Sequence, residues 1–338
     1  ETPRPFAMLF STSPMKRMRR KWISIFLVVI LTLSLAGCGG SGGDSESKDM
    51  LTVVISADPG SLDPHDTTGN PHHQVTRQIF ETLLVRDSDG ELAPWLAESW
   101  EYEDDTTLIM HLREGVLFTN GEEMKASDVL FSLKRMRDDN TTASMQVEAI
   151  DFDKSEVVDD YTVKICTINP SPMLLAMLEN PLCGIISEKA YNDSNADFFG
   201  EGSVGTGPYK LVSYSAGDQI VMEANEDYWI EGQPKIKNLT FRIITDSSSR
   251  AIEAESGGAD IVYDIGATDV ERVGETENVN LIRQIGANTQ YLTLNATNEP
   301  LDDFRVRQAI IYALDRSKIA EVAYGDFGME ATGLISWN

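Results

Sequence analysis

The chain is poor in the residues that metal and redox sites need. It has three cysteines and four histidines in 338 residues. No Cys-x-x-Cys pair and no His/Cys ligand spacing occurs. Basic residues are scarce too, 28 Lys and Arg against 54 Asp and Glu, for a formal charge of −26. Such an acidic chain repels nucleic acid and anionic lipid surfaces. Gly-x-Ser-x-Gly, His-Glu-x-x-His and phosphate-loop motifs are missing. Carboxylate pairs such as Asp104-Asp105 and Asp159-Asp160 are what an acidic composition produces by chance. Catalysis therefore finds no support, and no cofactor is implied. The apolar stretch Trp22 to Leu35 is too short for a comfortable bilayer span.

What is present begins with that stretch. Met15 to Lys21 is a basic cluster, Trp22 to Leu35 is uncharged, and Leu35-Ala36-Gly37-Cys38 closes the run. This order of charge, apolar core, small residues and cysteine is that of a signal peptide. It resembles the lipobox of bacterial lipoproteins, which implies lipidation of Cys38, an extracytoplasmic location and a membrane anchor through that lipid. Gly39 to Ser47 then reads as a flexible tether. Residues 1–14 fit no part of a leader and are taken as an upstream extension, with 15–37 the signal peptide and 38–49 the tether. From Cys38 onward 22 Lys and Arg face 53 Asp and Glu. The 301 residues from Cys38 on suffice for about two domains, and 41% hydrophobic content supports a packed core.

Periodicity sketches an α/β chain. Leu51 to Ser56 predicts a buried strand, and Asn70 as N-cap before Pro71 predicts a helix to about Leu84 with Val75, Ile79 and Leu83 on one face. Strands follow at 98–102, 107–113 and 116–118. A helix capped by Ser127 or Asp128 carries Val129, Leu130, Leu133 and Met136. Further strands are read at 162–168, 210–214, 219–224, 239–244, 261–265 and 291–295, and helices at 247–256 and 305–315. Cys166 and Cys183 read as two small buried residues, with a bridge between them left open. His65, His72, His73 and His111 read as turn and surface histidines. Neighbouring His72 and His73 point about 100° apart on a helix and are poorly placed to share an ion.

Several blocks then occur in a telling order: Ser61-Leu62-Asp63-Pro64-His65, Phe80-Glu81-Thr82-Leu83-Leu84, Leu96-Ala97-Glu98-Ser99-Trp100, Leu112-Arg113-Glu114-Gly115-Val116, Gly205-Thr206-Gly207-Pro208-Tyr209, Asn225-Glu226-Asp227-Tyr228-Trp229 and Phe304-Arg305-Val306-Arg307-Gln308-Ala309. Together they resemble the family 5 extracellular solute-binding proteins, the peptide, dipeptide, glutathione and nickel receptors of ABC importers. The resemblance implies a bilobed periplasmic-binding-protein-like fold of type II with an inserted subdomain. Lobe one would take 50–82 and 188–283, the insert 83–187, and an incomplete lobe two 284–338, since such receptors continue well beyond this point. It also implies capture of a peptide, or of another solute such as a nickel chelate, glutathione or oligosaccharide, in the interlobe cleft, and delivery to permease subunits. A secreted lipoprotein hydrolase is the remote alternative. By position, the resemblance puts Thr68, Gly69, Asn70, Met145, Gln146, Tyr263, Asp264 and Tyr291 near the ligand. The helix start at Pro71 adds free N–H groups that could meet a carboxylate, though an ordinary surface helix reads the same way. Tyr263 and Tyr291 could equally be core residues.

Overall fold

The computed structural model describes residues 49–331 and 333, apart from 67, 68, 140, 195–198, 201, 202, 285, 287 and 288. The leader, Cys38, the tether and Thr68 lie outside the described residues. Among those described, no helix is long and apolar enough to cross a membrane.

β1 (Met50–Ile55) is the pivot of the first sheet. Val53, Val54 and Ile55 are all buried, as a near-continuous apolar run in a parallel sheet must be. Its neighbours come from far along the chain. β10 (Asn238–Ile243) and β11 (Ile261–Val262) both lie parallel to β1, one on each side. β8 (Tyr209–Ser215) and β9 (Gln219–Ala224) form an antiparallel hairpin on the far side of β10, giving the order β11-β1-β10-β9-β8. A helix, α5 (Ser247–Ser256), joins β10 to β11. Asp246 caps it by accepting from the Ser249 N–H at 2.7 Å, and Gly257 ends it at φ 68, the left-handed geometry that glycine enters without steric cost.

A second, antiparallel sheet is built entirely from 97–166: β4 (Ala97–Asp104), β5 (Thr107–Leu112), β7 (Thr162–Cys166) and β6 (Glu156–Asp159), in that spatial order. The hairpin β2 (Leu84–Arg86) and β3 (Leu92–Pro94) precedes it. One helix, α2 (Ala126–Asp138), packs its Val129, Leu133 and Met136 onto a core with Leu108, Met110, Val163 and Ile165. A separate cluster under the first sheet contains Val53, Ile55, Val75, Ile79, Ile220, Met222 and Phe241. The short helices are α1 (Asn70–Thr76), α3 (Leu174–Leu178), α4 (Glu188–Asp193) and α6 (Val270–Gly274). α7 (Phe304–Ala313) and α8 (Arg316–Tyr324) have no buried residue.

Several predicted elements come out differently. The helix expected to reach Leu84 stops at Thr76. The carbonyls of Gln78 and Ile79 are taken by the Tyr209 and Gly207 N–H groups, and that of Leu83 by Trp95 and Ala97. The apolar spacing is real, since Val75, Ile79 and Leu83 are all buried, but tertiary partners claim the backbone. Asn70 is not the cap. Gly69 holds that place, and no side chain caps α1. Lys125 rather than Ser127 or Asp128 occupies the N-cap of α2. Asp128 reaches back from the third position to accept the Lys125 N–H at 2.8 Å, half of a capping box. The strand at 116–118 reduces to one bridge, Leu117 to Glu123. β11 ends at Val262 because Asp264 turns to φ 58. Residues 291–295 form no strand, as no ladder partner runs beside them among the described residues. Cys166 and Cys183 are buried free thiols. Burial pushes the Cys183 thiol up to about 12.

Candidate functional site

Three parallel strands end at one edge of the first sheet, and their outgoing loops share the space beyond it. In open α/β sheets, ligands bind outside the carboxyl ends of such strands. The Ser56 hydroxyl donates to Asp264 Oδ2 at 2.5 Å across this edge. The Tyr263 N–H bonds Val54 O at 3.0 Å, and the Ile244 N–H bonds Ile55 O at 3.0 Å, so the three chain exits are in register. Arg250, buried on α5, fastens the loops from behind. Its Nη1 donates to Ile244 O and Thr245 O at 2.8 and 2.9 Å, and its Nε and Nη2 to Asp264 O at 3.2 and 2.8 Å. Asp264 itself is exposed and sits in the left-handed region. A non-glycine residue rarely adopts that conformation, and does so at a cost its surroundings must hold in place.

The loop after β1 is anchored by a buried charge cluster. Arg135 of α2 grips Asp63 with two bonds, Nη1 to Oδ1 at 2.9 Å and Nη2 to Oδ2 at 2.5 Å. The same Nη1 donates to His65 Nδ1 at 2.6 Å, and His65 Nε2 donates to Gly184 O at 2.9 Å. A guanidinium can only donate, so His65 is the neutral Nε2–H tautomer. Burial, aided by the Arg135 charge and opposed by Asp63, lowers its pKa to about 4. His72 is also buried, with Nε2 on Asp63 O at 2.8 Å. The expectation of surface histidines is thus corrected for these two. The ring nitrogens of His65 are committed to internal partners and have no lone pair left for an ion.

Of the residues expected near ligand, Tyr263 and Asp264 lie at the sheet edge, 40% exposed in the case of Tyr263. Gly69 and Asn70, both exposed, end the loop that starts there. Met145 and Gln146 lie on a 3-10 turn, Thr142–Gln146. The Ala143 N–H on that turn bonds His65 O at 3.0 Å, tying it to the same loop. Tyr291 stands apart, 68% exposed in irregular chain. The anion-binding argument at Pro71 weakens. α1 has only seven residues and Pro71 lacks an N–H. Ser56 and Arg250 were not anticipated; an arginine inside a helix and a serine after a strand carry no signal in one sequence.

Nor was Glu81 anticipated, though it lies in one of the ordered blocks. Its carboxylate is buried and takes four bonds: Oε1 from Trp95 Nε1 and the Tyr228 hydroxyl, both at 2.7 Å, and Oε2 from the Thr206 hydroxyl at 2.8 Å and Trp229 Nε1 at 3.1 Å. Burial raises its pKa against the pull of those donors. Gly205 and Gly207 let their segment pass close to residues 78–79; a Cβ on Gly205 would lie 2.0 Å from Ile79 O.

These blocks and this sheet match a known family, described as bacterial extracellular solute-binding proteins, family 5 middle, over residues 91–337. The chain belongs to that family. Family 5 relatives agree with it along most of its length. It is 29% identical over 290 residues to the glutathione-binding protein GsiB of Salmonella paratyphi A, covering 86% of this chain and 56% of GsiB. Among solved structures, it resembles Haemophilus influenzae OppA in complex with RPPGFSPFR, with TM-score 0.75 and 26% identity over 83% of this chain. It also resembles Campylobacter jejuni NikZ in complex with Ni(L-His), with TM-score 0.78 and 27% identity over 86%. It spans 58% of each of those two chains. The fold is therefore the α/β periplasmic-binding-protein type, covering a little over half the length of these relatives. The matched proteins are binding proteins rather than enzymes.

Proposed function

We propose that this family 5 protein captures short peptides at the carboxyl edge of its first sheet, as the receptor of an ABC importer. The observation that carries this is the Ser56–Asp264 pair, held by Arg250 beside exposed Tyr263. It offers a hydroxyl, a carboxylate and an aromatic face at the mouth of three parallel strands. Such groups suit a peptide's amide and amino groups, where backbone contacts give affinity with little side-chain selection. Thr68, Gly69, Asn70, Met145, Gln146 and Tyr291 complete the proposed lining. In this reading 50–82 with 188–283 is lobe one, 83–187 its insert, and 284–338 enters lobe two. Ligand acts by favouring the closed arrangement of the lobes, a population shift set by differential affinity. The protein is exported, held to the membrane by lipid on Cys38, and hands its ligand to permease subunits.

Glutathione, itself a small peptide, is the second reading, and the similarity to GsiB favours it. The test is calorimetric titration of the protein with di-, tri- and pentapeptides, glutathione, Ni²⁺ with L-histidine, and an oligosaccharide. Peptide binding that falls in Asp264→Ala is the expected result. Heat only from the nickel chelate or the sugar would sink the peptide reading. Lipidation is tested separately by the mass of the exported protein and its loss in Cys38→Ser.

A further inference from the structure

Away from the sheet edge, the 83–187 region carries an open groove of about 510 Å³. That is within the size range of small-ligand sites. Val147, Ile150 and Phe152 form its floor and are buried. Met145 and Ile168 rise at its sides, 73% and 62% exposed. The Ile168 N–H on Ala149 O, at 2.9 Å, and the bridge from Ile150 to Thr167 fix the two sides together. Five apolar side chains converging on one exposed groove is more than scattered surface hydrophobicity.

The rim is charged in one sense. Glu148, Asp151 and Asp153 face Arg137 alone. Arg137 is already engaged, paired with Asp138 at 2.6 Å and stacked over the Phe152 ring at 4.5 Å. Asp151 is paired with Lys154 at 2.8 Å. No ion pair among the described residues engages Glu148 or Asp153. The surrounding region deepens the field, since residues 83–187 hold 21 Asp and Glu against eight Lys and Arg. A focused negative potential concentrates cations.

We infer that this groove is a second binding site, taking a short cationic peptide segment whose apolar side chain enters between Met145 and Ile168 while flanking positive charges meet Glu148 and Asp153. The site goes beyond the sheet-edge reading and needs no free peptide terminus; it shares only Met145 with the lining proposed there, so Glu148, Asp153 and Ile168 are the positions that separate the two.

The probe is a terminally blocked Lys-Leu-Lys tripeptide, with blocked Glu-Leu-Glu as its twin, titrated calorimetrically into the full chain. The basic peptide should bind and the acidic one should not. Affinity should drop about ten-fold in the double variant Glu148→Lys/Asp153→Lys, by a similar factor in Ile168→Gln, and again with added salt. All three positions are exposed or on the rim, so the fold should survive these changes. Equal binding of the two peptides, unchanged affinity in the charge-reversed variant, or no binding of the basic peptide would each overturn the inference. So would a concentration-dependent dimer abolished by Ile168→Gln, which would give this face to a second copy of the chain. Unblocked Ala-Ala-Ala serves as the probe of the sheet edge. If it still binds the charge-reversed variant while the blocked peptide is unaffected, the groove falls and the sheet-edge reading stands. If only the blocked peptide binds, and does so through Glu148 and Asp153, the reverse holds.

Discussion

Acid should weaken this protein through His65 in a narrow window. Nδ1 of the ring faces an Arg135 nitrogen at 2.6 Å, and the other nitrogen already donates to Gly184 O. A proton on Nδ1 would point an N–H at a guanidinium in a fully buried place. The native pKa is accordingly about 4, against 6.5 for the free group. The native state refuses a proton that the unfolded chain accepts below pH 6.5. The contribution is complete above that value and is lost as pH falls toward 4, with no further loss below it. At about 1.4 kcal/mol per pH unit, the full loss is about 3 kcal/mol. Other groups titrate in the same range, so the assay is a difference. Urea unfolding is followed from pH 7.5 to 3.5 for the wild type and for His65→Gln. The glutamine amide can accept from Arg135 and donate to Gly184 O without titrating. The stability gap between the two proteins should move by about 3 kcal/mol against the wild type between pH 7 and 4. A gap that stays constant to within about 0.5 kcal/mol would refute the assignment of a neutral, buried His65.

Further outcomes follow from the same contacts. Arg135→Met leaves the Asp63 carboxylate buried without its partner and should cost about 3–5 kcal/mol in urea unfolding, far more than a surface pair. Glu81→Gln keeps the shape but replaces one carboxylate oxygen, which accepts from a hydroxyl and an indole N–H, with an NH2 group that accepts from neither; a loss of about 2 kcal/mol is expected, and an unchanged midpoint would mean that the four bonds carry no net energy. Gly205→Ala places a methyl 2.0 Å from Ile79 O, and should cost about 3 kcal/mol, where overpacking usually lies lower. Reducing agent should leave the melting temperature unchanged, because Cys166 and Cys183 are free and buried; both should react with a thiol reagent only on unfolding.

Much of this scaffold was legible because its signals are local. The apolar run of β1, the 247–256 span of α5, and the amphipathic face of α2 are each read within a dozen residues, and each is seen within a residue or two of its predicted place. The failures share another cause. Residues 78–83 have helical spacing, but their carbonyls bond to Gly207, Tyr209, Trp95 and Ala97, partners that no local window contains. His65 reads as a turn histidine and His72 as one on a surface helix; Arg135, 70 residues beyond His65, makes the burial of His65 sensible, and the Asp63 carbonyl that of His72. At the candidate site, family resemblance supplied the expected positions, whereas Ser56 and Arg250, which hold Asp264, carried no signal. Ser56 bonds the Asp264 carboxylate across 208 residues and Arg250 the Asp264 carbonyl across 14.

The Glu81 knot also explains why the family blocks say so little about ligand. Glu81 belongs to the Phe80–Leu84 block, Thr206 to the Gly205–Tyr209 block, and Tyr228 and Trp229 to the Asn225–Trp229 block; Trp95 directly precedes the Leu96–Trp100 block. All four segments meet on one buried carboxylate. His65 and Asp63, from the Ser61–His65 block, meet Arg135 in the same manner. Each of these residues is withdrawn from solvent by the partners it satisfies, and a buried polar network of this kind specifies one packing and tolerates few others. Residues that read ligand must do the opposite and keep bonding capacity at the surface; of the proposed lining, Tyr263 and Asp264 are exposed. The blocks therefore report how the strands are sewn together. On the proposed function, ligand choice rests on exposed loop side chains such as Tyr263 and Asp264, and substituting them should change what binds while leaving the urea midpoint where it was.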